Sequence, residues 1–365
     1  MKLQENKILI SFDLGPKVEI LGNIEKTYNI EFIDGSSNKT IYETSINNGM
    51  WTQCSKKWYI PWIIKINGKI EHTFDLTNKE VKISFESKSI GDTIAWTPQV
   101  VEFAKKYKCK VTVSTFHNEW FENLSSYKDI KFLPPGIPGD FYAHYKLGWF
   151  QTNNDWDEGN YHLNKPNTIP LIQATTDMLG LPYKEINYGV DFKPKKRPIK
   201  SKYICVGPRS TAGLKEWPHE YWTQLAKMLN DEGYEVVNIS YEGFTSPNII
   251  DKPKLNWEDT YNYLYHADLF IGLGSGLSWF NWAIEKHTVM INNFLPYGYE
   301  FTKNLTKIED YSVCNNCWVD KKFVFDKGKW DWCPRHQGTL SQHICHKSIT
   351  PITVFNQIKY ILTHN

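Results

Sequence analysis

One carboxylate, a cation-bearing loop and a glycine-rich turn are the parts of this chain whose residue types suit group-transfer chemistry. Asp92 stands in Ser89-Ile90-Gly91-Asp92-Thr93, just after an apolar strand-like run. A carboxylate there can remove a proton from an acceptor hydroxyl. Spacing alone favours a simpler role, a helix N-cap. Arg209, Ser210, Thr211 and Lys215 fall in one loop that ends at Trp217-Pro218. Two cations beside hydroxyls suit a pyrophosphate, although a solvated loop has the same composition. Gly272-Leu273-Gly274-Ser275-Gly276-Leu277-Ser278 follows a strand and opens a helix. Gly274, Ser275 and Gly276 there let backbone approach a phosphate, and the helix start offers N–H groups to it. The full dinucleotide fingerprint is absent. Glu242 could accept ribose hydroxyls or be an ordinary surface carboxylate.

The cysteines raise a second chemistry. Cys314 and Cys317 form a Cys-x-x-Cys knuckle, and Cys333 and Cys345 follow after 15 and 11 residues. Four convergent thiolates make a closed tetrahedral site for one structural metal ion, zinc or iron. A disulfide pair and a chance cluster are the alternatives. The N-terminus is polar and reads as no export signal, so disulfides are not expected. His336, His343 and His346 could each replace a cysteine, but four thiols suffice without them. Cys54, Cys109 and Cys205 read as buried thiols.

These residues need a scaffold, and 365 residues supply two or three domains. Lys and Arg number 42 against 40 Asp and Glu, a net charge of +2 that speaks against a general nucleic-acid binder. No apolar run reaches the ~18 residues of a membrane span. The expectation is a soluble, cytoplasmic protein. The 15 Trp, 21 Tyr and 19 Phe suit sugar stacking, though core packing accounts for most of them.

Periodicity divides the chain. Residues 1–79 read as a β-rich accessory domain, with a hairpin at Asn67-Gly68. Residues 80–195 read as a first Rossmann-like domain: a strand at 81–86, a helix from about Thr97 to Lys108 with Pro98 in its first turn, and strands at 110–114 and 130–133. Residues 134–158 read as irregular, and a proline-broken, charged stretch at 189–201 reads as a linker. Residues 196–310 alternate strand and helix as a second doubly wound domain. A four-Cys metal finger follows at 311–348. A C-terminal helix at 349–365 carries Ile352, Phe355, Ile358 and Leu362 on one face, free to pack across domains.

Gly91-Asp92, Lys215-Glu216-Trp217-Pro218 and Ser275-Gly276-Leu277 resemble the ADP-heptose-dependent glycosyltransferases of lipopolysaccharide synthesis (glycosyltransferase family 9-like). The run Leu14 to Gly22, Lys57-Trp58-Tyr59 and the four cysteines resemble the bacterial autotransporter O-heptosyltransferases, so the likeness covers nearly the whole chain. It implies a GT-B fold and an inverting transfer of heptose from ADP-glycero-manno-heptose to serine (or threonine) hydroxyls of an autotransporter passenger protein in the cytoplasm. It implies Asp92 as the base, Lys215 at the donor phosphates, iron at the four cysteines and a homo-oligomer, a dodecamer. No catalytic metal, nucleic acid or membrane span is expected. The lipopolysaccharide enzymes usually carry Asp before the Ser/Thr-Gly-Leu element and His after it, where this chain has Gly274 and Trp279. Two other readings stay open: a GT-B transferase using another nucleotide sugar on a glycan, and a non-catalytic metal-finger binding protein.

Overall fold

The computed structural model describes residues 4–153, 155–296, 298–323 and 331–364. The chain forms two compact units. The first comprises the chain up to Lys88 with Trp96–Pro166 and Leu171–Ile186; the second comprises Ser89–Ala95, Asn167–Pro170 and the chain from Asn187 onward.

The first unit holds a seven-stranded sheet in the order Ile130–Phe132, Lys110–Ser114, Glu80–Phe85, Ala143–Leu147, Lys7–Asp13, Lys17–Leu21, Trp51–Gln53. The first five are parallel, and the last two are joined on by antiparallel pairings. Val81, Ile83 and Phe85 alternate inward, as a strand covered on one face requires. Helix α1, Ile90–Tyr107, covers them: Phe85 meets Trp96 edge-on at 5.8 Å, and Phe103 meets Tyr145 at 5.6 Å. Helix α2, Leu171–Met178, closes the unit, with Trp96 Nε1 donating to the Leu171 carbonyl at 3.0 Å. A separate antiparallel sheet runs Lys39–Asn47, Thr27–Asp34, Trp62–Ile66, Lys69–Thr73. Its hairpin turns through Asn67 and Gly68, at φ 51° and 78°.

Three expectations change here. Residues 1–79 do not stand apart as one β-domain, because Lys7–Asp13 pairs in parallel with Ala143–Leu147 and carries two further N-terminal strands into the large sheet. The stretch 134–158, read as irregular, contains the Ala143–Leu147 strand near the middle of that sheet. Helix α1 begins at Ile90 and not at Thr97, since Ile94, Ala95 and Trp96 extend its buried face upstream. Pro98 therefore lies inside the helix, where it removes a backbone donor.

The second unit is a six-stranded parallel sheet ordered Ile250–Asp251, Glu235–Asn238, Tyr203–Val206, Leu269–Leu273, Thr288–Ile291, Leu305–Ile308. Counted along the chain this is 3-2-1-4-5-6, the doubly wound order. Its helices are α3 (His219–Asp231), α4 (Trp257–His266), α5 (Gly276–Ala283), the short α6 (Ile344–Lys347) and α7 (Pro351–His364). Of the expected face of α7, Ile358 is buried and Phe355 and Leu362 pack against the core, while Ile352 is exposed; Val354 and Ile361 are buried beside Ile358. The buried three join Trp222, Leu225 and Leu229 of α3 in the unit's own core. A spacing of four and then three residues makes one stripe, centred on Val354, Ile358 and Ile361 and flanked by Phe355 and Leu362. Part of the expected finger, residues 324–330, lies outside the described residues.

Candidate active site

In a 3-2-1-4-5-6 sheet the loops after the first and fourth strands diverge and leave a crevice at their carboxyl ends. Here those strands are Tyr203–Val206 and Leu269–Leu273, so the loops are 207–217 and the Gly274-Ser275 turn. Arg209, Ser210, Thr211, Glu242, Ser275 and Gly276 all border one cleft of about 410 Å³. Ile90, Asn256 and Trp257 border it too. Asn256 is fixed as the cap of α4, accepting from the Asp259 N–H at 2.8 Å. Glu242 is exposed at this cleft.

Arg209 is held in place by its neighbours. Its Nη1 pairs with Glu216 Oε2 at 3.0 Å and its Nε donates to the Gly243 carbonyl at 3.4 Å. Its guanidinium lies over Phe244, 5.2 Å from the ring centre. The other Glu216 oxygen accepts from the Ser210 N–H at 3.2 Å. The loop is therefore ordered by its own ion pair. Ser275, at the start of α5, has a buried hydroxyl oxygen with no hydrogen-bond partner. An orphan hydroxyl beside open helix N–H groups is costly unless a ligand meets it.

Lys215 and Gly274 belong to an adjoining cluster. Lys215 Nζ donates to the Gly274 carbonyl at 3.0 Å and lies 5.9 Å from the centre of the Phe294 ring. Burial pushes its pKa down, and the charges of Glu300 and Asp92 oppose this. Asp92 is the third residue of α1, behind Ser89, so it is not the residue that precedes the helix as a cap would be. It is 6% exposed and belongs with the second unit. The close approach of α1 to α5 explains Gly91: a Cβ there would sit 2.9 Å from Trp279 Cδ1.

Sequence reasoning missed Tyr299 and Glu300, both buried. Glu300 accepts a hydrogen bond from Trp279 Nε1. Burial raises its pKa, Lys215 and Lys307 draw it down, and Asp92 pushes it up. Burial holds the Tyr299 phenol far above its ordinary pKa, with Asp92 and Glu300 adding to the shift. No local motif marks these two residues. Their only signal is position, in the loop after Thr288–Ile291 at the same sheet edge. The structure thus joins Lys215 to Gly274 by a hydrogen bond, with Asp92 acting on the lysine only through its charge, and separately gathers Arg209, Ser210, Thr211, Glu242, Ser275 and Gly276 around the cleft.

All four C-terminal cysteines are free thiols bordering one cavity of about 20 Å³. Asn316 turns the knuckle in the left-handed region at φ 52°, and the His343 N–H donates to Cys333 Sγ at 3.4 Å. Burial holds Cys317 at a pKa of about 11 and Cys345 at about 12. Arg335 pulls the thiols of Cys314 and Cys317 the other way. Among the described residues, no group of three or more His, Cys, Asp and Glu is placed to hold a metal ion. The donor types, their grouping and the N–H···S bond nonetheless fit a thiolate-held metal.

Among the described residues, no helix is long and apolar enough to cross a membrane. The sequence profile of glycosyltransferase family 9 (heptosyltransferase) matches residues 168–309, most of the second unit. BimC of Burkholderia thailandensis, an inactive autotransporter heptosyltransferase, is 27% identical over 354 residues, covering 92% of this chain and 82% of its own. Aah of Escherichia coli, an autotransporter heptosyltransferase, is 28% identical over 367 residues, covering 93% and 90%. The crystal structure of the dodecameric, iron-containing heptosyltransferase TibC of Escherichia coli, in complex with ADP-D-β-D-heptose, matches with a TM-score of 0.85 at 25% identity over 97% of this chain and 96% of that one. Over nearly its whole length the chain is similar to autotransporter heptosyltransferases, and within its second unit it matches glycosyltransferase family 9.

Proposed function

We propose that the chain transfers heptose from ADP-glycero-manno-heptose to serine or threonine hydroxyls of an autotransporter passenger, with inversion at the anomeric carbon. The observation that carries this reading is the hydrogen bond from Lys215 to the Gly274 carbonyl in the Gly274-Ser275-Gly276 turn at the switch point of the second sheet, with the charge of Asp92 acting on that lysine. Asp92 takes the acceptor's hydroxyl proton. The oxygen bonds to the anomeric carbon as that carbon's bond to the diphosphate breaks, and ADP leaves with the electron pair. Arg209, Lys215, the N–H groups opening α5 and the Ser275 hydroxyl meet the charge that grows on the leaving diphosphate. Ser210 and Thr211 add hydroxyl donors, and Glu242 accepts from the ribose.

Cys314, Cys317, Cys333 and Cys345 would hold one structural metal ion. Iron is favoured because TibC is described as iron-containing. That ion would cross-link the segment 311–348 and take no part in the transfer. The likeness to dodecameric TibC supports a homo-oligomer, and action in the cytoplasm, before the passenger is exported, belongs to the same reading.

The test is incubation of purified protein with ADP-heptose and an unmodified autotransporter passenger, read by mass spectrometry of the passenger. Heptose on serine or threonine is expected. ADP-heptose binding without transfer would instead align the chain with the inactive relative BimC.

A further inference from the structure

We infer that Glu300 is a sugar-recognition residue: its carboxylate, admitted by the missing side chain of Gly274, accepts hydrogen bonds from hydroxyls of the donor's sugar. This rests on the reading of the second unit as a nucleotide-sugar site. Glu300 is 5% exposed. One of its oxygens, Oε2, accepts from Trp279 Nε1. The other is turned to the glycine turn, where Oε1 would lie 3.0 Å from a Cβ on Gly274 and Leu295 Cδ1 only 2.8 Å from it. A Cβ at 274 would press on Leu295 first and on that oxygen next, so glycine there leaves the Glu300 carboxylate its place beside the turn.

A carboxylate beside a turn that receives a diphosphate repels the diphosphate. Its presence needs an offsetting role. Lys215 supplies part of the charge balance, since Glu300 and Asp92 both act on its ammonium. The remaining capacity of the carboxylate is acceptance, and the polyhydroxylated part of a nucleotide sugar is the donor class that matches it. The cluster also contains Asp92, the residue placed to activate the acceptor, and the sugar must lie next to that residue for transfer. The cleft bordered by Glu242 and Trp257 is then left for the nucleoside. Sites built to bind a hydroxyl lose strongly when the acceptor group is removed, because a buried polar partner is left unmatched.

The experiment is calorimetric titration of the full-length protein and of Glu300→Gln with two probes, ADP and ADP-heptose. Gln keeps the shape and the bond to Trp279 while losing the charge. The expected result is about tenfold or greater weakening for ADP-heptose with ADP affinity held within about twofold. Equal weakening of both probes, or of neither, overturns the inference. Glu300→Asp, which keeps the charge and withdraws the oxygens by one methylene, serves if the Gln variant melts early; it must show the same selective loss. Wild-type protein that binds neither probe refutes the nucleotide-sugar reading itself, and the Glu300 role with it. Because binding is read directly, a failure of sugar transfer is a separate result and does not bear on Glu300.

Discussion

Lys215 and Gly274 are joined by one hydrogen bond, Nζ to carbonyl oxygen at 3.0 Å, which ties the basic loop after Tyr203–Val206 to the glycine turn after Leu269–Leu273. The lysine is thereby held extended beside the helix start before any ligand arrives, and its ordering entropy is already spent. Lys215→Ala should lower kcat/KM for ADP-heptose by about a hundredfold, in the range for a lost charge contact in a transition state. Lys215→Arg should rescue it poorly, because the planar fork cannot reproduce a compact ammonium between Gly274, Glu300 and Asp92. Steady-state kinetics on both variants checks this.

Gly91 poses a contest between helix propensity and space. Alanine is better than glycine within a helix by about 1 kcal/mol. A Cβ at 91 would stand 2.9 Å from Trp279 Cδ1, and Trp279 is 2% exposed and cannot swing away. Overpacking of this kind costs about 1–3 kcal/mol, so the net effect of Gly91→Ala should be destabilising. Urea unfolding would show a lower midpoint; a raised midpoint would mean that the ring yields.

Much of the second unit is legible in the sequence. The helix at Trp257–His266 is marked by its Asn256 cap and its aromatic stripe. The strand–turn–helix at Leu269–Ala283 is marked by its glycines. The unit as a site was harder to see. Asp92 is visible as a carboxylate after a strand, but only tertiary contact gives it Lys215 and Glu300 as neighbours. Glu300 follows a Pro- and Gly-marked loop that has no periodicity, and its partner Trp279 is 21 residues away. Ala143–Leu147 was hidden because prolines and glycines upstream suggest a loop, while its alternation is only five residues long. Lys7–Asp13 was visible as a strand, yet no local feature says which sheet it joins.

The cysteine cluster predicts a measurable metal content. Cys314→Ser should cut the iron or zinc bound per chain well below that of the wild type, read by elemental analysis after purification in metal-free buffer. Light scattering on the same sample tests whether assembly depends on it. Full metal content in the serine variant would show that Cys314 is not a ligand.

His162 makes acid stability of the first unit predictable. It is 2% exposed, accepts the Phe150 N–H on Nε2 at 3.2 Å, and is pushed by burial from 6.5 to about 4. Its folded pKa is depressed, so the neutral ring contributes stability that is complete above pH 6.5 and is lost as pH falls towards 4. Within that window the unfolded chain binds the extra proton, and stability should drop by up to about 1.4 kcal/mol per pH unit. His162→Gln should flatten this slope in denaturant titrations run across the window; an unchanged slope would assign the acid sensitivity to other groups.

The central claim is that Asp92 activates the acceptor while the Lys215 turn holds the donor. The most direct measurement pairs ADP-heptose affinity with single-turnover transfer in Asp92→Asn, which preserves size but cannot take a proton. Donor affinity close to wild type with transfer slowed by about a hundredfold or more is the predicted result. Transfer at near wild-type rate would contradict the account.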